Sequence, residues 1–300
     1  MPTLDRITIY PVKSLDGLDV AEARVLPAGG LQHDRRWQLT DMDGRVLNAK
    51  RTPLFHAIRA EFDLAGKAGA TTMIHLAIDP AAIAARAIPR VERLADLMPG
   101  SFPLVPGPEG PCEWFAAAFG QPVLLVERAD GGFPDDREAA GPTLVSTATL
   151  AEVAGWFGLD LVECRRRFRV NLEIGGCDAF WEDALASPAR PHLQPPPSRL
   201  DPDLPADPYA DLPPPEPLAF AIGEARFQAA NVCRRCVVPS RDSRTGAVTG
   251  QFREVFEAWR GRTLPSTVDA SGWSHHYRIS VNTRPLKLAV LHCEEHVGEQ

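Results

Sequence analysis

Two cysteines three positions apart, Cys233 and Cys236, stand in the stretch NVCRRCVVPSRDSRTGAV with Arg234 and Arg235 between them. Such a pair could be a redox dithiol, half of a structural zinc site, a thiolate on a soft metal, or two small buried hydrophobes. A thioredoxin-type dithiol needs its first cysteine at a helix N-terminus, where the dipole lowers the thiol pKa; here both flanks read as strand. Structural zinc needs two more ligands at recognisable spacing. The other four cysteines, Cys112, Cys164, Cys177 and Cys293, are scattered singly and each reads as a small buried hydrophobe. His275 and His276 are adjacent, which on a strand sends them to opposite faces. The remaining reading is one thiolate on a soft-accepting metal, with arginines that favour the thiolate and attract anions. The spacing does not say which metal.

The elements that must position this pair are mostly strands. LDRITIY and LDVAEARVL alternate with period two. RRWQLTD and RVLNAK flank Asp43-Gly44, a hairpin signal because glycine accepts the positive φ of a tight turn. HAIRAEFD and TTMIHLAI follow, and so many short strands without a helix predict a small barrel or sandwich. DPAAIAARAIPRVERLADLMPG is ambiguous because Pro89 interrupts it. PCEWFAAAFG predicts a helix begun at Pro111, and STATLAEVAGWFG one capped by hydroxyls and ended at Gly158. PVLLVE reads as a buried strand between them. RFRVNLEI reads as another, with Phe168, Val170, Leu172 and Ile174 on one face and Arg167, Arg169, Asn171 and Glu173 on the other. Twelve of residues 187–217 are proline, which predicts an extended, polyproline-like excursion, with a partner-docking ligand as the functional alternative. EARFQAAN, CVVPSRD and the turn DSRTG come next, then a helix FREVFEAWR and a last strand YRISVN.

The 300 residues carry 44% hydrophobic and 24% charged side chains at a net charge of -7. That describes an ordinary globular chain and argues against a general binder of nucleic acid or anionic membrane. The basic run RRRFR (165–169) is too short, and too divided between strand faces, to change this. The N-terminus enters a strand pattern without a signal-peptide or twin-arginine pattern. No apolar stretch approaches the roughly 20 residues of a membrane span. The expected location is the cytoplasm, where thiols stay reduced.

IYPVKSLDG, GLQHDRRW, FRVNLEI and CRRCVVPSRDSRTG, in that order and at compatible spacing, resemble proteins with an N-terminal MOSC β-barrel followed by a MOSC (molybdenum cofactor sulfurase C-terminal) domain. The mitochondrial amidoxime-reducing component and its bacterial counterparts are similar across about residues 3 to 283. The resemblance implies a mainly β fold: a barrel domain over 1–100 and a MOSC domain over 101–300, with a Pro-rich insertion at 187–217 and the cofactor in the cleft between them. It implies the molybdenum cofactor, with Cys236 as the protein ligand to the metal and Cys233 in support. Cofactor contacts carry over to Lys13, Ser14, Arg35, Ser146, Arg169, Asn171 and Arg235; an anionic pterin phosphate needs such cations and hydroxyls. Ser146 also reads as a plain helix cap. The implied activity is reduction of amidoximes, hydroxamic acids and N-hydroxylated bases. No flavin fingerprint, Fe–S cysteine set or haem-attachment motif is visible, so electrons are expected from a separate flavin or ferredoxin reductase, docked through Arg241 and Arg244. A persulfide sulfur carrier at Cys236 and a non-catalytic cofactor-binding protein are the rival readings. Three departures stand out: Arg36 replaces an aromatic or aliphatic residue, the proline-rich insertion is long, and PLKLAVLHCEEHVGEQ replaces a tidier last strand.

Overall fold

The computed structural model describes residues 1–64, 71–188 and 216–299. The expected proline-rich excursion therefore lies outside the described residues from 189 to 215. The fold is mixed α/β and strand-rich, with 31% strand and 23% helix. The expected mainly β, barrel-rich fold is met in part, as a strand-rich mixed one, and among the described residues no closed barrel is formed. Helices fill what the strand patterns left over, and the sheets stay open.

One eight-stranded sheet runs through the molecule. Its order is Val297–Glu299, Ala219–Ile222, Ala225–Arg234, Arg278–Lys287, Leu144–Ser146, Leu172–Gly175, Thr3–Ile9 and Leu18–Val20. Neighbours are antiparallel except Leu144–Ser146 beside Leu172–Gly175, which run parallel. A parallel pair needs a crossover, and here two helices, Thr147–Phe157 and Leu161–Phe168, make it. A second sheet joins Trp37–Thr40 to Val46–Leu47 and Leu124–Glu127, and a third joins Ile58–Asp63, Met73–Ile78 and Gly100–Pro103. The hairpin at Asp43-Gly44 forms as expected: Leu39 faces Leu47 across it, and the Asp41 carboxylate accepts from the amides of Asp43 (3.0 Å) and Arg45 (2.8 Å).

Three apolar cores result. The first gathers Val12, Leu39, Phe55, Ile58, Leu76, Phe115 and Leu125; the second lies on the large sheet, with Leu4, Ile7, Leu172, Phe227 and Val281. The third is aromatic, with Phe168, Phe180, Phe252, Phe256 and Tyr277 among the helices. The halves exchange elements across residue 100: strand Thr3–Ile9 joins the large sheet, while helix Cys112–Phe119 packs in the first core. The C-terminus also weaves back. YRISVN is not the last strand; Val290–His292 pairs with Glu22–Arg24, and Val297–Glu299 pairs with Ala219–Ile222.

The helix caps follow their sequence signals. Cys112–Phe119 starts after Pro111 and ends at left-handed Gly120. Thr147–Phe157 has the Ser146 hydroxyl accepting from Thr149 N–H (2.9 Å) and ends at Gly158. PVLLVE is a strand at the edge of its sheet with Leu124 exposed, less buried than its composition implied.

RFRVNLEI behaves differently from its pattern. Residues up to Phe168 finish a helix, Arg169 caps it at φ 54°, and the strand begins only at Leu172. Helical spacing, capped by Asp160, overrides the apparent alternation. The basic run is consequently spent inside the molecule. Arg165 pairs with Glu173 (2.5 Å), Arg166 with Asp16 (3.6 Å), and buried Arg167 with Glu163 (2.6 Å).

Candidate functional site

Where the large sheet meets the first core, a cavity of about 1170 Å³ opens. Fifteen Lys and Arg side chains line it against six Asp and Glu, an excess of nine positive charges in a chain whose net charge is -7. Such focusing favours an anionic occupant. Its walls include Lys13, Ser14, Arg35, Arg169, Asn171, Arg235, Cys233 and Cys236. The segments that supply them run from Lys13 to Cys236, 223 residues apart at the extremes, and the sheet order brings them together.

Tyr10 is the hub on one wall. Its amide donates to Asp34 (2.8 Å) and its hydroxyl to Val170 O (3.3 Å). Arg169 lies 4.1 Å from the ring centroid and Arg35 5.4 Å, so both guanidinium groups share one aromatic face system. Burial pushes the Tyr10 phenol up to about 12 despite the neighbouring Arg169 and Arg35. Asn171 is buried with its amide fully engaged: it donates to Thr8 O (3.0 Å) and accepts from Thr143 Oγ1 (3.1 Å) and Arg35 (3.3 Å). What Asn171 offers the cavity is the placement of Arg35. Lys13 donates to Phe133 O (3.1 Å) and pairs with Asp135 (2.9 Å). Burial raises the Asp135 carboxyl, but Arg35 and Lys13 outweigh it and hold the group below the usual carboxylate range.

Ser14, Arg35 and Arg169 all adopt the left-handed backbone region, at φ 75°, 48° and 54°. A non-glycine residue there costs about 1–3 kcal/mol and persists only where its surroundings over-determine it. The surroundings do so: Ser14 Oγ accepts from Ala49 N–H (3.2 Å), Arg35 N–H donates to Tyr10 O (2.8 Å), and Arg169 Nη1 donates to Leu15 O (2.6 Å). Three side chains are thus aimed at one cavity at the expense of backbone comfort.

Cys233 and Cys236 part company. Strand Ala225–Arg234 ends between them, and CVVPSRD continues as a loop with a short 3-10 turn, Val238–Ser240, in place of the expected strand. Cys233 is buried and donates to Asn282 Oδ1 (3.0 Å), and burial pushes its thiol up. Cys236 is half-buried at the cavity wall. Its carbonyl accepts from the Tyr277 hydroxyl (3.1 Å), and Tyr277 packs edge-on to Phe256 at 5.1 Å. The aromatic core therefore anchors the loop that carries the accessible thiol. Arg235 stands beside it, donates to Phe168 O, and leaves a buried Nε without a partner.

Ser146 is not brought to this cavity. It is fully buried, caps its helix, and its hydroxyl also meets Thr149 Oγ1 (2.8 Å) and Asp178 O (3.1 Å). Its capping reading is the one the geometry carries. Arg241 lines the cavity and donates to Ala49 O (2.6 Å), while Arg244 pairs with Asp79 (2.8 Å). Both are engaged within the chain.

Sequence reasoning missed Tyr10, although it sits in the quoted IYPVKS. It missed His56 as well, because a lone histidine in TPLFHAI reads as core. Asp135 gave no signal beyond an acidic pair in a loop.

The donor set fits an anionic, metal-bearing cofactor. One accessible thiol lies among cations, and no ion pair among the described residues gives Arg169, Arg235 or Arg241 a carboxylate. Among the described residues no three His, Cys, Asp or Glu side chains converge to cage a metal ion. A metal at Cys236 would therefore take its other ligands from the cofactor itself.

Residues 1–122 match the family described as the MOSC N-terminal beta barrel domain. The crystal structure of the YuaD protein from Bacillus subtilis aligns with 99% of this chain and 94% of its own, at 8% identity and a TM-score of 0.38. No curated protein matches the chain. No helix among the described residues is long and apolar enough to cross a membrane.

Proposed function

We propose that this chain is a molybdenum-cofactor-dependent oxidoreductase that removes oxygen from small N-hydroxylated compounds. The observation that carries the reading is the accessible Cys236 thiol in a cavity with nine excess positive charges. In this reading Cys236 is the protein ligand to the metal; Lys13, Ser14, Arg35, Arg169 and Arg235 grip the anionic pterin, and Asn171 holds Arg35 in place. The cofactor supplies the two-electron chemistry; the protein supplies ligation, orientation and access. Cys233, hydrogen-bonded to Asn282, lies buried at the end of the strand that leads into the ligand loop.

The protein's own part is electrostatic. Tyr10 fixes two guanidinium groups before any ligand arrives, so binding costs little reorganisation. The left-handed Ser14, Arg35 and Arg169 serve the same end. A persulfide carrier would need an accessible thiol but no such basic cavity, and a storage protein would bind the cofactor without turnover.

The donor dependence tests the reading. Reducing an N–O bond consumes two electrons per turnover, and the sequence shows no redox group to take them from a nicotinamide. With an amidoxime or N-hydroxylated base, NADH alone should give no turnover, whereas reduced viologen should support it and a flavin or ferredoxin reductase should replace the dye. With Arg241 and Arg244 engaged internally, reductase docking falls to exposed arginines at the cavity rim such as Arg234 and Arg137. Rapid NADH-driven turnover by the isolated chain would refute this account of electron supply. Failure with every donor, despite a full metal load, would favour the storage reading.

A further inference from the structure

His56 lines the same cavity, is 8% exposed, and its Nε2 is buried without a hydrogen-bond partner. It belongs to the short 3-10 turn Pro53–Ala57 and was not among the residues implied by any motif. Arg59 Nη2 holds its backbone by donating to His56 O (2.8 Å) and also donates to Ser243 O (3.1 Å). The 242–247 turn passes close to His56. Gly246, at φ 69°, makes that approach possible: a Cβ there would lie 2.7 Å from Ile88 Cγ1 and 3.5 Å from His56 Cβ.

The charged groups facing His56 are Arg241, Arg169, Arg59 and, opposing them, Asp242. Arg59 is already neutralised by Asp16 (3.1 Å). Arg169 and Arg241 donate only to backbone carbonyls, of Leu15 and Ala49, among the hydrogen bonds described. A buried imidazole nitrogen without a partner, beside two guanidinium groups without a carboxylate, is a place prepared for a ligand with negative charge and several acceptor oxygens.

We propose that His56, Arg169 and Arg241 form a subsite for a phosphate-class dianion, and that the imidazole takes up a proton as the anion arrives. In the free cavity, burial and then Arg241, Arg169 and Arg59 push the imidazole down to about 4, so it is neutral at pH 6–7. A dianion at the same point reverses the sign of the local field, and imidazolium then donates through Nε2. Binding and protonation are linked, so affinity for an ion that stays a dianion, such as sulfate, rises as pH falls toward about 4; a phosphate gains its own proton at about pH 6, which offsets the effect for phosphate itself. The subsite deepens the proposed function by naming an anion class for its cavity, but it rests on geometry that holds whether or not the chain turns over. The phosphate could be the cofactor's own or that of a separate molecule.

The test uses the full chain from a host unable to make the cofactor and from one that can. Inorganic sulfate, a phosphate-like ion that stays a dianion over the whole range, is titrated at pH 5, with calorimetry in two buffers of different ionisation enthalpy and NMR of the His56 ring, assigned with His56→Asn. In the cofactor-free chain, sulfate should bind with net proton uptake and raise the His56 titration midpoint by more than one pH unit. His56→Asn should abolish the uptake, and Arg241→Met should weaken binding about tenfold or more, as loss of a charge-assisted contact does. If the loaded chain shows His56 already shifted and indifferent to sulfate, the cofactor's phosphate is the occupant. If it still binds sulfate with the same uptake, the occupant is a separate anion. Identical behaviour of two preparations that both lack cofactor would sink the proposed activity while leaving the subsite standing. Sulfate binding without any change at His56, or no binding at millimolar sulfate, overturns the proposal.

Discussion

Cys236→Ser should abolish viologen-driven reduction of N-hydroxylated substrates, by a factor well above about 100. Losing a group that merely orients a metal ligand commonly costs 10–100-fold, and this variant removes the ligand itself. A hydroxyl is a harder and far less acidic donor than a thiol, so it does not replace a thiolate on a soft-accepting metal. The fold gives the substitution little to disturb: Cys236 is half-buried on a loop, and it is its carbonyl, retained in serine, that accepts from Tyr277. Stability should therefore stay near the parent while turnover disappears. Cys233→Ser provides the contrast, since Cys233 is buried and points its thiol at Asn282. It should keep much of the activity. Parent-level turnover in Cys236→Ser, measured at equal protein concentration, would remove Cys236 from the metal.

The second large effect falls on stability and lies away from the cavity. Arg260 is 0% exposed, pairs with equally buried Asp183, and lies 4.0 Å from the Phe180 ring centroid. Neighbouring Glu182 is also fully buried, and burial pushes its carboxyl up to about 7, against the pull of a Thr149 hydrogen bond and Arg260. Arg260→Ala would leave a carboxylate in an aromatic core with no counter-charge, which costs about 3–5 kcal/mol. Urea unfolding followed by fluorescence should show that loss as a lower midpoint. Adding Asp183→Leu to Arg260→Met should recover much of it, because the buried charge is then gone and volume is kept. An unfolding free energy within about 0.5 kcal/mol of the parent for Arg260→Ala would show the pair to be solvated in solution. The effect bears on function through Tyr277, which the same core holds against the Cys236 loop.

Local signals in the sequence were read well wherever the backbone itself imposes them. Gly44 in a hairpin, Gly120 and Gly158 at helix ends and Ser146 at a helix start each satisfy a nearest-neighbour requirement, and each appears where expected. The stretch 165–171 defeated the same approach because its apolar residues fit both periods. Asp160, several residues upstream, decided for helix. The open sheets were illegible for a different reason: whether short strands close into a barrel depends on long-range pairing such as Thr3–Ile9 with Leu172–Gly175. At the site, the MOSC resemblance of the N-terminal motifs is matched by the domain over residues 1–122. Lys13, Ser14, Arg35, Arg169, Asn171, Arg235 and Cys236 do line one cavity. Ser146 does not, since one hydroxyl satisfies either a cap or a ligand and its burial assigns it to the cap. His56 escaped notice, and Arg241 was assigned to docking when it lines the cavity, because a histidine among apolar residues and an arginine in a turn acquire meaning only from what surrounds them in space.

Metal and pterin analysis of the purified chain tests the central claim most directly. Protein from a host competent in cofactor synthesis should carry about one molybdenum per chain, the number a single cysteine ligand implies, with an equal amount of molybdopterin. Protein from a host lacking the pathway should carry neither. A well-folded chain from the competent host with no molybdenum and no pterin would contradict the account.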